Sequence, residues 1–320
     1  MSININHIIG NQMQSFKDYL SESKRIQLIT EGGNAVKSAS RINQLNVKAT
    51  LSEIYKTILP KLKLKKADIT LLGSTGKKDP KKNGTEEGSS GDIDLGISLD
   101  ALMKANNLVD EDAVYAFIED ACKDQHEVHV FKGLEVVSIA FPIVNTDGKQ
   151  DGEHCQLDLM PVHDLAYAAW SYHSPAYNES KYKGLYPKEV YYACARVADT
   201  KTTETTKQDG KDVPIEWTRM FFDLNKGLMV GKQSIKGKTK AIVKGAKTSD
   251  KSVKTADPKK IVKILFGSKF KPTDVLTWEQ VWKAINSKDF VHKDKLPEIL
   301  KIVKKGIERK GVPLPSDLIN

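Results

Sequence analysis

Apolar positions recur along this chain with two different periods. From Asn46 to Leu62, Val47, Leu51, Ile54 and Ile58 repeat every three or four residues, which puts them on one helical face; Pro60 stands near the end. Everything up to about residue 60 reads as helical. Short apolar runs follow: "ADITLLGS" (67–74) and "GDIDLGIS" (91–98) read as strands. "EDAVYAFIEDACKD" (111–124) returns to the helical period, with Val114, Phe117, Ile118 and Ala121 on one face. Three further strands are predicted at "HEVHVF" (126–131), "LEVVSIAFPIV" (134–144) and "HCQLDLMPV" (154–162), with a polar turn at "NTDGKQDGE" (145–153). "HDLAYAAWSY" (163–172) and "PKEVYYACARVA" (187–198) read as helices split by the polar loop "HSPAYNESKYKG" (173–184).

Past residue 198 the pattern changes. Residues 199–212, "DTKTTETTKQDGKD", hold almost nothing apolar and read as a linker or exposed loop. "IEWTRMFFDL" (215–224) fits a strand or a short helix, and Lys226–Lys254, rich in Gly and Lys, fits a hairpin or a mobile arm. Helices return at the end. Asp257-Pro258 is a cap followed by a first-turn proline, Thr277 can cap "WEQVWKAIN", and Leu296, Ile299, Leu300, Val303 and Ile307 share a face closed by Gly311. The expected architecture is α+β. An N-terminal unit of mixed strands and helices spans 1–200, a basic linker or β-hairpin arm 201–258, and a helical domain 259–320.

Charge sharpens that division. The net charge is +9 overall, but −4 over residues 1–200 and +13 over 201–320. Such asymmetry points to a phosphate-rich partner such as nucleic acid, or to no more than a solvated lysine surface. Trp217, Phe221, Phe222, Trp278 and Trp282 in the basic half are candidates for base stacking, with core packing as the alternative. No run approaches the ~18 apolar residues of a membrane span. Three widely spaced cysteines (Cys122, Cys155, Cys194) suit free thiols in a reducing compartment. With no basic and apolar leader at the start, a cytoplasmic location is expected.

The carboxylates in "GDIDLGIS" carry the chemistry. Side chains alternate along a strand, so Ile93, Leu95 and Ile97 share one face, and Asp92 and Asp94 project together from the other. Like charges that close repel and raise each other's pKa, so a cation between them is the natural partner. Oxygen ligands alone suit a hard ion, Mg²⁺ or Mn²⁺. Asp158, flanked by Leu157 and Leu159, offers a third carboxylate in the same format. Three such groups on adjacent strands can hold two cations ~3.5–4 Å apart for in-line phosphoryl transfer. Gly73-Ser74, directly after a strand, permits a tight turn whose N–H groups and hydroxyl can hold phosphates. Two other patterns fail. In "GKQSIKGKT" five residues separate Gly231 from Gly237 where a phosphate-binding loop needs four, and "HEVHV" lacks metalloprotease spacing.

A strand ending in Gly-Ser, a hydrophilic gap, Asp-x-Asp and a distant strand aspartate together resemble the nucleotidyltransferase superfamily of DNA polymerase beta. The resemblance rests on "LLGS", "GDIDLGI" and "QLDLMPV" and covers roughly residues 45–200; the last motif is most similar to the archaeal CCA-adding and oligoadenylate synthase/cGAS-like branches. The gap from Ser74 to Asp92 is longer than the family's usual one, and the arginine often found just after the Gly-Ser is missing. The resemblance implies an NTP substrate, two Mg²⁺ or Mn²⁺ ions and release of pyrophosphate. Asp92, Asp94 and Asp158 would be catalytic and metal-binding; Gly73 and Ser74, with Lys183 and Arg196, would bind the nucleotide. Lys181, Tyr182 and Tyr186 are further candidates. "EGGNAVKSASRI" (31–42) reads as a turn opening a helix, with a nucleotide or acceptor contact as the alternative. The leading expectation is template-independent addition to an RNA 3′ end. The alternative is synthesis of a cyclic or linear oligonucleotide messenger.

Overall fold

The computed structural model describes residues 35–319 except 83, 86, 199–201, 209–210 and 235–251. The mixed α+β class expected from sequence is what it shows. The periodicity at 46–62 becomes helix α1 (Gln44–Lys61), which buries Val47, Leu51, Ile54 and Ile58. Two pairs of short strands precede and follow it: β1 (Ala39–Ser40), β2 (Ile42–Asn43), β3 (Ile69–Leu71) and β4 (Ser89–Ser90). The Gly pair of 31–42, like the helices expected before it, lies outside the described residues; 35–38 are bend and turn, and 39–43 are extended before α1 begins at Gln44. Pairing to β4 and to a later strand wins over local propensity there.

The central sheet has the order β3–β5–β8–β7–β6, formed with β5 (Asp92–Ser98), β6 (Val128–Phe131), β7 (Val136–Val144) and β8 (Gln150–Val162). β5 and β8 run parallel; the other pairs in this path are antiparallel. β8 begins at Gln150, so the turn before it is shorter than residues 145–153. Helices α2 (Leu99–Asn106), which no sequence pattern announced, and α3 (Glu111–Cys122) join α1 on one face. Ile93, Leu95 and Ile97 of β5 and Cys155, Leu157 and Leu159 of β8 enter a single core with them. That leaves Asp92, Asp94 and Asp158 on the opposite face.

A second core gathers α4 (Leu165–Ser171), α5 (Leu185–Val197), the C-terminal helices α6 (Pro258–Leu265), α7 (Trp278–Ile285) and α8 (Leu296–Arg309), and part of a second sheet. Asp257 and Thr277 cap α6 and α7 through their side chains, as the sequence predicts. The second core takes in side chains from α4 and α5 onward, because most residues of α5 are buried in it. The second sheet is antiparallel, with order β12–β11–β10–β9: β9 (Thr202–Gln208), β10 (Lys211–Asp223), β11 (Gly227–Ser234) and β12 (Ser252–Thr255). Residues 202–208 and 211–212 are strand where a linker or loop was expected, and their Thr-rich composition suits a strand through β-branching. The basic segment 235–251 lies outside the described residues. Among the described residues no helix is long and apolar enough to cross a membrane.

Candidate active site

Strand register assembles the three carboxylates. Asp94 pairs with Asp158 across the parallel β5–β8 ladder, and Asp92 pairs with Gln156. Asp92, Asp94 and Asp158 each offer an oxygen within 4.8 Å of the others, an arrangement that could hold a metal ion. All three are pushed above the ordinary carboxylate range. Burial is the main cause for each; Asp92 and Asp158 add to it at Asp94, and Asp92 adds to it at Asp158, which reaches about 7. Arg41, Lys78 and Lys183 pull Asp92 the other way, and Lys188 pulls Asp94. A buried oxygen-only donor set carrying mutual repulsion fits a hard divalent cation.

Asp158 is oriented by neighbours that the sequence reading passed over. The Ser138 hydroxyl on β7, opposite Asp158 in register, donates to Oδ1 at 2.6 Å. Gln156 Nε2 donates to both carboxylate oxygens at 3.0 Å. The Gln156 Oε1 in turn accepts the backbone N–H groups of Ala35 (2.8 Å) and Val36 (3.3 Å), which forces its NH₂ toward Asp158. Gln156 carried a readable signal, since it sits two residues before Asp158 on the same face. Ser138 did not, because only the register of β7 reveals it.

Gly73 meets Asp94 directly. It has φ +58°, and a Cβ there would lie 2.0 Å from Asp94 Oδ2. Its N–H donates to the Tyr172 carbonyl at 3.3 Å, while the Asp94 N–H donates to Thr75 Oγ1 at 3.0 Å. The turn and strand β5 are thus tied together. The N–H groups of Ser74, Thr75 and Gly76 have no protein acceptor among the described residues, leaving three consecutive donors that an anion could use. Gly73→Ala is expected to lower turnover about 100-fold by displacing Asp94, with circular dichroism unchanged in form. An unaltered rate would show that the close approach has no role.

The predicted lysine and arginine part company. Lys183 lies near enough to Asp92 for its charge to lower that carboxyl. Arg196 instead lines a cleft with α8 residues such as Lys301 and Lys305, and none of the three aspartates shares that lining. Tyr182 and Tyr186 pack edge-on against the fully buried Trp278 rather than facing the carboxylates, and Phe222 is likewise in the core. The cation that sequence reading missed is Lys188, in the first turn of α5. Its Nζ donates to the His173 carbonyl at 2.9 Å. Burial and the charges of Lys77 and Lys310 push it down to about 7, against the pull of Asp94. The available clue was a lysine in a helix most of whose residues are buried.

These opposed shifts have a thermodynamic consequence in metal-free protein. A carboxyl raised on folding contributes stability below its unfolded pKa and loses it as pH rises through the folded value, near 7 for Asp158. Lys188, depressed on folding, acts in the reverse sense above 7, where stability rises with pH. Asp94→Asn removes one of the repelling charges. With chelator present at pH 7 it should raise the thermal midpoint by about 2–5 °C over the parent, and Mg²⁺ should stabilise the parent but not the variant. A scanning-calorimetry midpoint below the parent's would contradict this.

No protein-family model matches the chain, and no curated protein matches its sequence.

Proposed function

We propose that this chain is a nucleotidyltransferase that moves NMP from an NTP to an acceptor hydroxyl and releases pyrophosphate. The single observation that carries this reading is the convergence of Asp92, Asp94 and Asp158, from two adjacent parallel strands, beside a glycine turn with unpartnered N–H groups. The three carboxylates would hold two Mg²⁺ or Mn²⁺ ions, which supply charge neutralisation for phosphoryl transfer when bound. The turn from Gly73 to Gly76 receives the β- and γ-phosphates, and Lys188 adds a positive charge behind them. Asp158 would accept the proton of the attacking hydroxyl. Ser138 and Gln156 hold its two oxygens in place. Catalysis on this account is positioning plus charge neutralisation.

The favoured acceptor is an RNA 3′ end, because the chain's positive charge is concentrated beyond residue 200. The test is incubation with each α-labelled NTP and Mg²⁺ or Mn²⁺, with and without bulk tRNA, resolving long and short products. Labelled RNA supports the reading as stated. A short product formed without RNA moves it to an oligonucleotide-messenger synthase. No labelled product under any condition overturns it.

A further inference from the structure

Two clefts on the surface of the second core run together. The larger, about 940 Å³, lies between α5 and α8 and is lined by Arg196, Lys301, Lys305 and Arg309 among others. The second, about 460 Å³, shares Arg196 and Arg309 and continues to Tyr192, Phe221 and Lys310. Lys301, Lys305 and Arg309 are four residues apart on one helix, so they repeat about every 6 Å along one face. Among the described residues no carboxylate forms an ion pair with any of these three or with Arg196. Glu298 and Glu308 share the lining of the larger cleft. In the second, Glu189 is already neutralised by Lys310 at 3.4 Å. Cations therefore remain in excess.

The second cleft comes near the carboxylate site: Lys310 in its lining is close enough for its charge to act on Lys188, and the charge of Lys188 acts in turn on Asp94. Aromatic surface lies along the way: Phe221 is 40% exposed, and Tyr192 lines the same cleft. Cations at regular spacing beside an exposed aromatic ring are the chemistry that holds a single-stranded backbone and its bases. An A-form RNA duplex is bound by shape over its wide, shallow minor groove, whereas a cleft of this kind suits a single strand.

We propose that this α5–α8 groove binds single-stranded RNA and delivers its 3′ end to Asp92, Asp94 and Asp158. The assignment gives Arg196 a role on the acceptor side instead of at the nucleotide. It rests on the nucleotidyl-transfer reading for the direction in which the strand runs, but the binding surface itself is tested separately.

The experiment is fluorescence anisotropy of the full chain with a labelled 20-nucleotide single-stranded RNA over a range of salt concentrations. Arg196→Glu/Lys305→Glu is compared with Lys104→Glu/Lys123→Glu, which reverses two exposed lysines on α2 and just after α3. The groove variant should bind at least 10-fold more weakly with a shallower salt dependence, and the control pair should stay within 2-fold of wild type. Equal loss in both pairs, no loss in the groove pair, or tighter binding of duplex than of single-stranded RNA would overturn the proposal. Both pairs should keep Mn²⁺ binding, which separates a groove defect from damage to the carboxylate site. If RNA binds in the groove yet wild type transfers no NMP, the enzymatic reading fails and the binding surface stands. If NMP is transferred while the groove pair binds RNA normally, the groove fails and the enzymatic reading stands.

Discussion

Asp94→Asn should reduce NMP transfer by about 10³-fold or more while leaving a folded and somewhat more stable protein. Asp94 is enclosed by Gly73, faces Asp158 in the parallel ladder, and is raised by desolvation and by both other aspartates. Without a cation that repulsion costs stability; with one, it becomes the binding energy of the site. The asparagine keeps the shape and loses the charge. A variant that simply misfolded would lose activity with a lowered thermal midpoint, so the two readouts together distinguish the cases. Asp92→Asn and Asp158→Asn should lose activity comparably. Their effects should not add to that of Asp94→Asn, because groups that share ligands act as a unit.

The second large effect is expected at Lys188. Lys188→Met should lower kcat/KM for the NTP by about 100-fold, corresponding to about 2.7 kcal/mol. Methionine fills the volume of the buried stem without the charge, so stability should hold or rise. Lys188→Arg should not rescue activity. A Cβ at Gly184 would lie only 3.1 Å from Lys188 Nζ and 2.6 Å from the His173 carbonyl, which leaves no room for a guanidinium. In the free protein Lys188 loses its proton as pH rises through about 7, so wild-type kcat/KM should fall on that side; in Lys188→Met the fall should vanish. An unchanged KM and pH profile would place Lys188 in the structure alone.

The site was readable in the sequence to the extent that strand periodicity could expose it. Ile93, Leu95 and Ile97 force Asp92 and Asp94 to the opposite face, and Leu157 and Leu159 do the same for Asp158; that inference needs only the two-residue period. What periodicity does not contain is which strands are neighbours. The β5–β8 pairing that brings Asp94 to Asp158, and the β7–β8 pairing that brings up Ser138, arise from long-range register. Lys188 was overlooked because an isolated lysine in a helix ordinarily faces water. Here α5 is enclosed by both α8 and the site. Arg196 stands elsewhere on the same helix. It lies eight residues further on, about 12 Å along the helix, and that length carries it from the carboxylates to the α8 groove. The Thr-rich stretch from 202 looked like a linker because it lacks apolar residues, yet β-branching and pairing with β10 are enough to make it a strand.

The central claim is that Asp92, Asp94 and Asp158 form a two-cation site that is completed by an NTP. The most direct measurement is electron paramagnetic resonance of Mn²⁺ titrated into the protein with a non-hydrolysable NTP analogue. The account predicts two bound ions per chain, coupled to each other, in wild type, and loss of that signal in Asp94→Asn. No bound Mn²⁺ in wild type, or the same coupled pair in the variant, would contradict it.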